Sequence, residues 1–170
     1  MDVLAHMLWT NYGARAGNVE LKKKKKRPIN LAWATFWGVF PDLVAFGIPI
    51  AIAIILAPFH GFSFQGLAVL GWPPILYHYS HSLVIWAVVF LAVWAIRKRI
   101  PLELFGWTLH ILIDIPSHAN NFYPTPFLFP ISNYHFTHGI PWSNTWYMII
   151  NYSLLLIASL YVFTRRKKLK

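Results

Sequence analysis

Several histidine and aspartate residues are spaced so that they could share one metal ion. His110 and Asp114 are four residues apart, so a helix would place both side chains on one face. His78 and His81 are three apart, again on nearly one face, and Asp42 follows a proline in a long apolar stretch. The chain has no cysteine, so a metal would have to be bound by imidazole and carboxylate groups. Such a ligand set suits zinc or another divalent first-row ion.

The basic residues indicate where these groups lie relative to a membrane. The chain is 57% hydrophobic and 12% charged, which is typical of a protein in lipid. Its 15 Lys and Arg residues fall into clusters of six at residues 22–27, three at 97–99 and five at 165–170, with Arg15 apart. Clusters beside apolar runs predict cytoplasmic helix ends, hence a multi-pass protein of the plasma (inner) membrane. Because no aromatic residues are interleaved with these bases, nucleic acid is not expected as a partner.

The apolar stretches predict an all-α integral membrane protein with one domain over residues 1–170. We expect a bundle of four transmembrane helices at residues 29–58, 77–96, 101–116 and 144–164. The first should be kinked near Asp42, where Pro41 and Pro49 interrupt it. An N-terminal helix, from residue 2 to about residue 16, is short and polar and should pack in or against the bundle. The outer loops, 59–77 and 117–143, contain no Lys or Arg and are rich in proline and aromatic residues, as at headgroup level.

The basic clusters also allow the depth of the polar residues below the cytoplasmic surface to be estimated. Counted from the nearest cluster, Asp42 and Asp114 are fifteen residues away and His81 is sixteen. At the helical rise of ~1.5 Å these separations are about 22–24 Å, so three separate helices deliver polar groups to one outward level. His6 reaches a similar level if the first helix is continuous. Ionisable groups inside a bilayer are costly and usually face a partner, a cavity or an ion. We therefore expect a common ligand for these residues.

Each of these residues also has a plainer interpretation. His81 could cap a helix start through Ser80 or Ser82 and lie at the interface as an amphipathic anchor. Asp42 could be an N-cap, a metal ligand or a general base. His78 could be a ligand or a supporting residue. His118 and His138 are possible ligands, although both occur in an aromatic loop where solvated histidine is the default.

In order and spacing, four segments resemble the membrane-bound metal-dependent hydrolase family, also described as LexA-binding, inner-membrane-associated hydrolase. They are His6 in an N-terminal helix, GVFPDL around Asp42, YHYSHSL with His81, and LHILIDIPSH followed by PTPF. Tyr79 stands where the family usually has an arginine between two histidines. The order of separated His, Asp, His and HxxxD is more distantly similar to zinc-dependent phospholipase C.

The polar layer and the resemblance together predict a metal-dependent hydrolase that cleaves a phosphoester or ester of a lipid or lipid-linked substrate. The lipid bilayer and that substrate are the expected partners, and one to three divalent ions, preferably zinc, are the expected cofactors. The predicted ligands are His6, Asp42, His81, His110, Asp114 and His118, with Asp42 also a candidate catalytic base. An alternative function for the same layer is transport or sensing of protons or metal ions.

Overall fold

The computed structural model describes residues 1–60, 72–118 and 124–167, and within these ranges the fold is helical without a β-strand. The helices are α1 (Val3–Lys23), α2 (Leu31–Asp42), α3 (Ile48–His60), α4 (Trp72–Ser80), α5 (Leu83–Arg97), α6 (Phe105–Ser117) and α7 (Thr145–Lys167). A π-helical segment, Leu43–Gly47, joins α2 to α3, and a 3₁₀ turn, Leu102–Leu104, precedes α6.

The first helix is longer than the sequence predicted. It begins after Asp2, whose side chain accepts a hydrogen bond from the Ala5 amide at 2.9 Å, and it continues to Lys23. The predicted end near residue 16 is wrong, since neither Gly13 nor Gly17 terminates the helix. Glycine weakens a helix by only ~1 kcal/mol. Packing against α2, α6 and α7 outweighs that weakness.

The predicted interruption near Asp42 takes the form of a local π segment. Pro41 lies inside α2, and the π segment starts directly after Asp42. In this segment the Ile48 amide bonds to the Leu43 carbonyl, five residues back. Residues Leu31–Ile55 nevertheless form one 25-residue apolar helix that is long enough to cross a membrane. π segments absorb an irregularity without ending a helix and are frequent at functional sites.

The predicted single helix from about residue 77 to 96 is instead two helices, a correction to the expected bundle. Helices α4 and α5 meet at a bend of 55° beside His81 and Ser82. The Ser82 hydroxyl caps α5 by accepting hydrogen bonds from the amides of Val84 and Ile85, and it donates to the Phe129 carbonyl. An N-cap of this kind starts a new helix and so fixes the bend.

The described helices differ in whether they are long and apolar enough to cross a membrane. By length and composition, Leu31–Ile55 and Thr145–Thr164 can each cross a bilayer, and the bent α4–α5 pair is a third candidate if it forms one span. On α7, the residues Ile149, Ile150, Leu154, Leu156, Ile157 and Leu160 are exposed, so this helix presents an apolar surface to its surroundings. Helix α6 has 13 residues, or about 20 Å, which is less than the ~30 Å hydrocarbon core.

Helix α2 lies between α1 and α6, and glycines allow this close packing. A Cβ added at Gly38 would collide with the side chain of Thr10 on α1. A Cβ added at Gly106 would collide with the backbone of Ala34 on α2. Small residues of this kind let membrane helices approach closely. The three helices carrying His6, Asp42 and the HxxxD pair are thereby held together.

Candidate metal centre

Two carboxylates and two imidazoles from three parts of the chain converge in the interior. They belong to Asp42 on α2, His81 at the α4–α5 bend, and His110 and Asp114 on α6. Each contributes one potential ligand atom, and these four atoms all lie within 4.8 Å of one another. His81, His110 and Asp114 are buried, and the side chain of Asp42 is 14% exposed. Among the described residues, this group could hold a metal ion.

The spacing of the donor atoms fits a small divalent ion. His81 Nε2 lies 3.1 Å from His110 Nε2, 3.6 Å from Asp42 Oδ1 and 3.5 Å from Asp114 Oδ2. His110 Nε2 lies 3.7 Å from Asp42 Oδ1 and 3.1 Å from Asp114 Oδ2. Ligand atoms at ~2.0–2.2 Å from one ion in a tetrahedron are roughly 3.3–3.6 Å apart. These five separations, 3.1–3.7 Å, are close to the spacing that shared coordination requires.

The hydrogen bonds of His110 leave the correct nitrogen free for a metal. Its Nδ1 lies 2.7 Å from the Gly38 carbonyl oxygen, which can only accept, so Nδ1 carries the hydrogen. In the neutral ring, Nε2 then has a lone pair that points at His81 and Asp114. A backbone carbonyl behind a histidine is a usual way to fix the tautomer of a metal ligand.

His81 is positioned by the helix break. Its Nδ1 lies 3.0 Å from the Ser80 hydroxyl, and the ring stacks on Tyr77 with centroids 3.9 Å apart. The Ser80 carbonyl, left over at the end of α4, accepts a 2.6 Å hydrogen bond from Trp107 Nε1. The bend therefore turns His81 into the interior and anchors that position to α6. The Ser82 hydroxyl, one of the two serine groups considered for a cap beside His81, caps α5.

Asp42 is not a helix cap. The structure gives its side chain no capping hydrogen bond, although it precedes the π segment. Its Oδ1 instead faces the imidazoles of His81 and His110. Of the interpretations considered for this residue, the N-cap is wrong.

Asp114 connects the four-residue group to a second set of polar atoms. While Oδ2 faces His81 and His110, Oδ1 lies 3.0 Å from His6 Nε2 and 3.5 Å from His118 Nε2. The Met1 amino group is 2.5 Å from Asp114 Oδ1 and 3.0 Å from His118 Nε2. The two oxygens of one buried carboxylate thus face different imidazole sets.

The buried charges support a bound cation. The Met1 amino group forms an ion pair with Asp114 Oδ1, but within the described part of the chain no Lys or Arg side chain pairs with Asp42 or Asp114. Asp114 Oδ2 is buried and accepts no geometrically sound hydrogen bond from a described residue, although His110 Nε2 is 3.1 Å away. A buried anionic oxygen without a hydrogen bond is costly. A divalent ion among these ligand atoms would remove that cost.

Most of the predicted site residues lie in or beside the cluster, and two lie outside it. The structure brings together His6, Asp42, His81, His110, Asp114 and His118, directly or through Asp114. His78 is exposed, with Nδ1 2.6 Å from the Pro74 carbonyl, and its ring packs against Phe129. His138 is also exposed and contacts the Thr137 hydroxyl at 3.0 Å. Neither is brought into the cluster.

Comparisons with protein-family models, with curated proteins and with solved structures found no match to this chain. The resemblance to membrane-bound metal-dependent hydrolases therefore stays a prediction from the sequence.

Two further residues support the centre without having been expected there. The Tyr77 hydroxyl lies 3.3 Å from His118 Nδ1, and the Ser117 hydroxyl donates to Asp114 Oδ1 at 3.4 Å. Both stand at helical spacing from a predicted ligand, Tyr77 four residues before His81 and Ser117 three after Asp114. This helical spacing is the sequence feature from which their position near the site could have been predicted.

Proposed function

We propose that this protein is a membrane-embedded metal-dependent hydrolase that cleaves a phosphoester or ester of a lipid or lipid-linked substrate. The observation that carries the proposal is the convergence of Asp42, His81, His110 and Asp114 in the protein interior. Membership in the membrane-bound metal-dependent hydrolase family is part of the same proposal.

The residues divide into ligands and a base. His81 Nε2, His110 Nε2 and Asp114 Oδ2 would hold one ion, preferably zinc. His6 and His118 face the other oxygen of Asp114 and would complete this site or bind a further ion. When bound, such an ion supplies an activated water at neutral pH and offsets charge on the attacked group.

Asp42 is the best-placed proton acceptor. Of the two carboxylates it is the more accessible, at 14% exposure against 1% for Asp114. A general base must come within hydrogen-bond reach of the proton it abstracts, here a proton of the attacking water. We therefore assign Asp42 either to accepting the proton of the attacking water at its carboxylate or to completing the ligand set.

An apolar groove beside the cluster supports a lipid substrate. The groove, about 400 Å³ in volume, lies between α1, α6 and α7 and is lined by Trp9, Ile113, Pro116, Tyr147 and Leu154, among others. Pro116 precedes Ser117, whose hydroxyl contacts Asp114. An acyl chain in this groove would bring an adjoining ester close to the cluster.

The proposed membrane arrangement has four apolar crossings, with residues 22–27, 97–99 and 165–170 cytoplasmic and the metal centre toward the outer side. Helix α1 runs beside them, from His6 at the centre to Lys23 in the first basic cluster. The segments 59–77 and 117–143, which contain no Lys or Arg, would then be external. In this arrangement α6 crosses only part of the hydrocarbon and depends on its neighbours for the rest.

The test is metal content and phosphodiester hydrolysis by protein purified in detergent. We expect bound zinc and slow hydrolysis of bis(p-nitrophenyl) phosphate by the wild type. His110→Ala and Asp114→Ala should each lower metal affinity at least ~10-fold, with parallel loss of hydrolysis. His138→Ala, at an exposed histidine outside the cluster, is the matched control and should retain both. Full metal retention in both cluster variants would refute the site.

Transport of protons or metal ions is the second candidate. It is favoured by polar contacts along the α1–α2 interface, on the side of the cluster toward the first basic segment. Asn11 Nδ2 donates to the Thr35 hydroxyl at 3.1 Å, and Arg15 Nε donates to Asn11 Oδ1 at 2.5 Å. Metal-dependent uptake by liposomes containing the protein, without hydrolysis, would favour transport over the enzyme.

A further inference from the structure

A second cavity lies at the opposite end of the helices from the predicted outer side and is bordered by arginines. It has a volume of about 390 Å³ and lies where α2 begins, where α5 ends and where the 3₁₀ turn starts. Its lining includes Arg27, Arg97, Arg99, Glu103, Trp33 and Trp37. We refer to it as the arginine pocket. None of these residues belongs to the metal centre.

The arginine pocket carries unbalanced positive charge. Glu103 Oε1 is its one carboxylate, lying 3.9 Å from Arg27 Nη2 and accepting a 3.2 Å hydrogen bond from the Asn30 amide. The guanidinium groups of Arg97 and Arg99 make no ion pair or hydrogen bond with any residue that the structure describes. Three arginines against one glutamate leave a net charge of +2. The pocket is therefore suited to an anion.

The other walls of the arginine pocket are apolar and face the membrane boundary. Trp33, in the first turn of the Leu31–Ile55 span, is 56% exposed, and Trp37 lies one turn further along. Tryptophan at the end of a membrane span is typical of the headgroup level, where its ring contacts both lipid and water. A free inorganic anion would not use these walls, whereas the glycerol and upper acyl chain of a phospholipid would.

We propose that the arginine pocket binds the phosphate headgroup of an anionic phospholipid. Arg97 and Arg99 supply the planar donor forks that match phosphate oxygens, and Trp33 and Trp37 cover the start of the lipid chains. Basic pockets between membrane helices are known to select anionic headgroups in this way. This inference is independent of the proposed hydrolase function, because it uses none of the residues of the metal centre.

Native mass spectrometry of the full-length protein in detergent tests the proposal. The probes are phosphatidylglycerol, phosphatidylcholine and inorganic phosphate, offered separately. We expect retained phosphatidylglycerol, little phosphatidylcholine and no effect of inorganic phosphate on lipid retention. The double variant R97Q/R99Q should bind phosphatidylglycerol about tenfold more weakly, because charge-assisted contacts to phosphate are lost.

The matched control is K24Q/K26Q, which removes the same two charges from exposed lysines that do not line the cavity. It should bind phosphatidylglycerol like the wild type. Equal weakening in both double variants would show general attraction to surface charge and overturn the proposal. Equal retention of phosphatidylcholine, or displacement of lipid by millimolar phosphate, would also overturn it. An unfolding temperature of R97Q/R99Q in detergent equal to that of the wild type shows that the variant is folded, so that loss of lipid is interpretable.

Discussion

Asp114 is the residue on which the candidate centre depends most. Its two oxygens face two sets of imidazoles, with His81 and His110 on one side and His6 and His118 on the other. Its side chain is almost completely buried. A carboxylate at this depth is stable only with compensating positive charge or hydrogen bonds. Metal binding and protein stability should therefore be coupled through this one residue.

Metal removal should destabilise the wild type but not Asp114→Asn. A ligand present at ~100 times its dissociation constant stabilises the native state by about 2.7 kcal/mol, so a chelator should lower the unfolding temperature measurably. In Asp114→Asn the shift should vanish, because the bridging anion is gone. The measurement is thermal unfolding in detergent with and without EDTA. Glu20→Gln, at an exposed carboxylate, is the control and should behave like the wild type. An unchanged chelator effect in Asp114→Asn would contradict the coupling.

The sequence allowed some of these residue contacts to be predicted. The contact of His110 with Asp114 follows from their spacing on one helix, at a measured 3.1 Å. The common level of Asp42, His81 and Asp114 follows from counting residues to the basic clusters. The role of Tyr77 was not predicted, because its contact with His118 depends on tertiary packing, although its spacing of four residues from His81 was an available signal. His78 is three residues before His81 but is exposed and lies outside the cluster, so helical spacing alone did not decide which histidine is buried.

At the scale of the elements, the contact of α1, α2 and α6 is what brings the ligands together. Gly38 is central to it, because its missing side chain makes room for Thr10 and its carbonyl accepts the hydrogen of His110 Nδ1. One residue therefore sets both the distance between helices and the orientation of a ligand. Changing it should affect stability and metal affinity together.

We expect Gly38→Ala to destabilise the protein by about 1–3 kcal/mol, since the new methyl group collides with Thr10 and forces the helices apart. Metal affinity should fall at the same time, because moving the helices apart takes the carbonyl of residue 38 away from His110 Nδ1. Gly13→Ala is the matched control. There the added methyl group meets only Leu109, at an ordinary 3.6 Å, and alanine favours the helix by ~1 kcal/mol. Denaturant unfolding and zinc titration measure both effects, and equal stability of the two variants would contradict the packing argument.

Element boundaries were less predictable than element types. The apolar runs correctly indicated helices, and the two prolines correctly indicated an irregularity near Asp42. The sequence did not reveal that a π segment would absorb this irregularity, because the backbone register depends on neighbouring helices. A cap through Ser80 or Ser82 was considered, but the helix was expected to begin near residue 77, because residues 83–96 alone are short for a membrane span. For α1, packing decided the length, whereas its polarity had suggested an earlier end.

For the whole molecule, the distribution of charge is the main guide to orientation. Two of the three basic clusters, at residues 22–27 and 97–99, border the arginine pocket, so they lie at the same end of the helices. The candidate metal centre lies away from that end, since Asp42 is eleven residues along α2 from Leu31, or roughly 16–17 Å at the helical rise. If the clusters are cytoplasmic, the candidate centre lies toward the outer side. The orientation of the chain in the membrane would therefore decide from which side a substrate reaches the candidate centre.

Single cysteines can test this orientation without background, because the chain has none of its own. Lys24→Cys and Ile100→Cys place exposed thiols beside the two basic clusters, and Asn133→Cys places one in the segment predicted to be external. A membrane-impermeant maleimide should label Asn133→Cys in right-side-out vesicles, and the other two only in inside-out vesicles, because basic clusters are retained on the cytoplasmic side. The unmodified chain, which lacks cysteine, is the control for background labelling. If positions 24 and 100 were labelled from opposite sides, an odd number of crossings would separate them, which would contradict the proposed arrangement. If both were labelled from outside, the metal centre would lie on the cytoplasmic side.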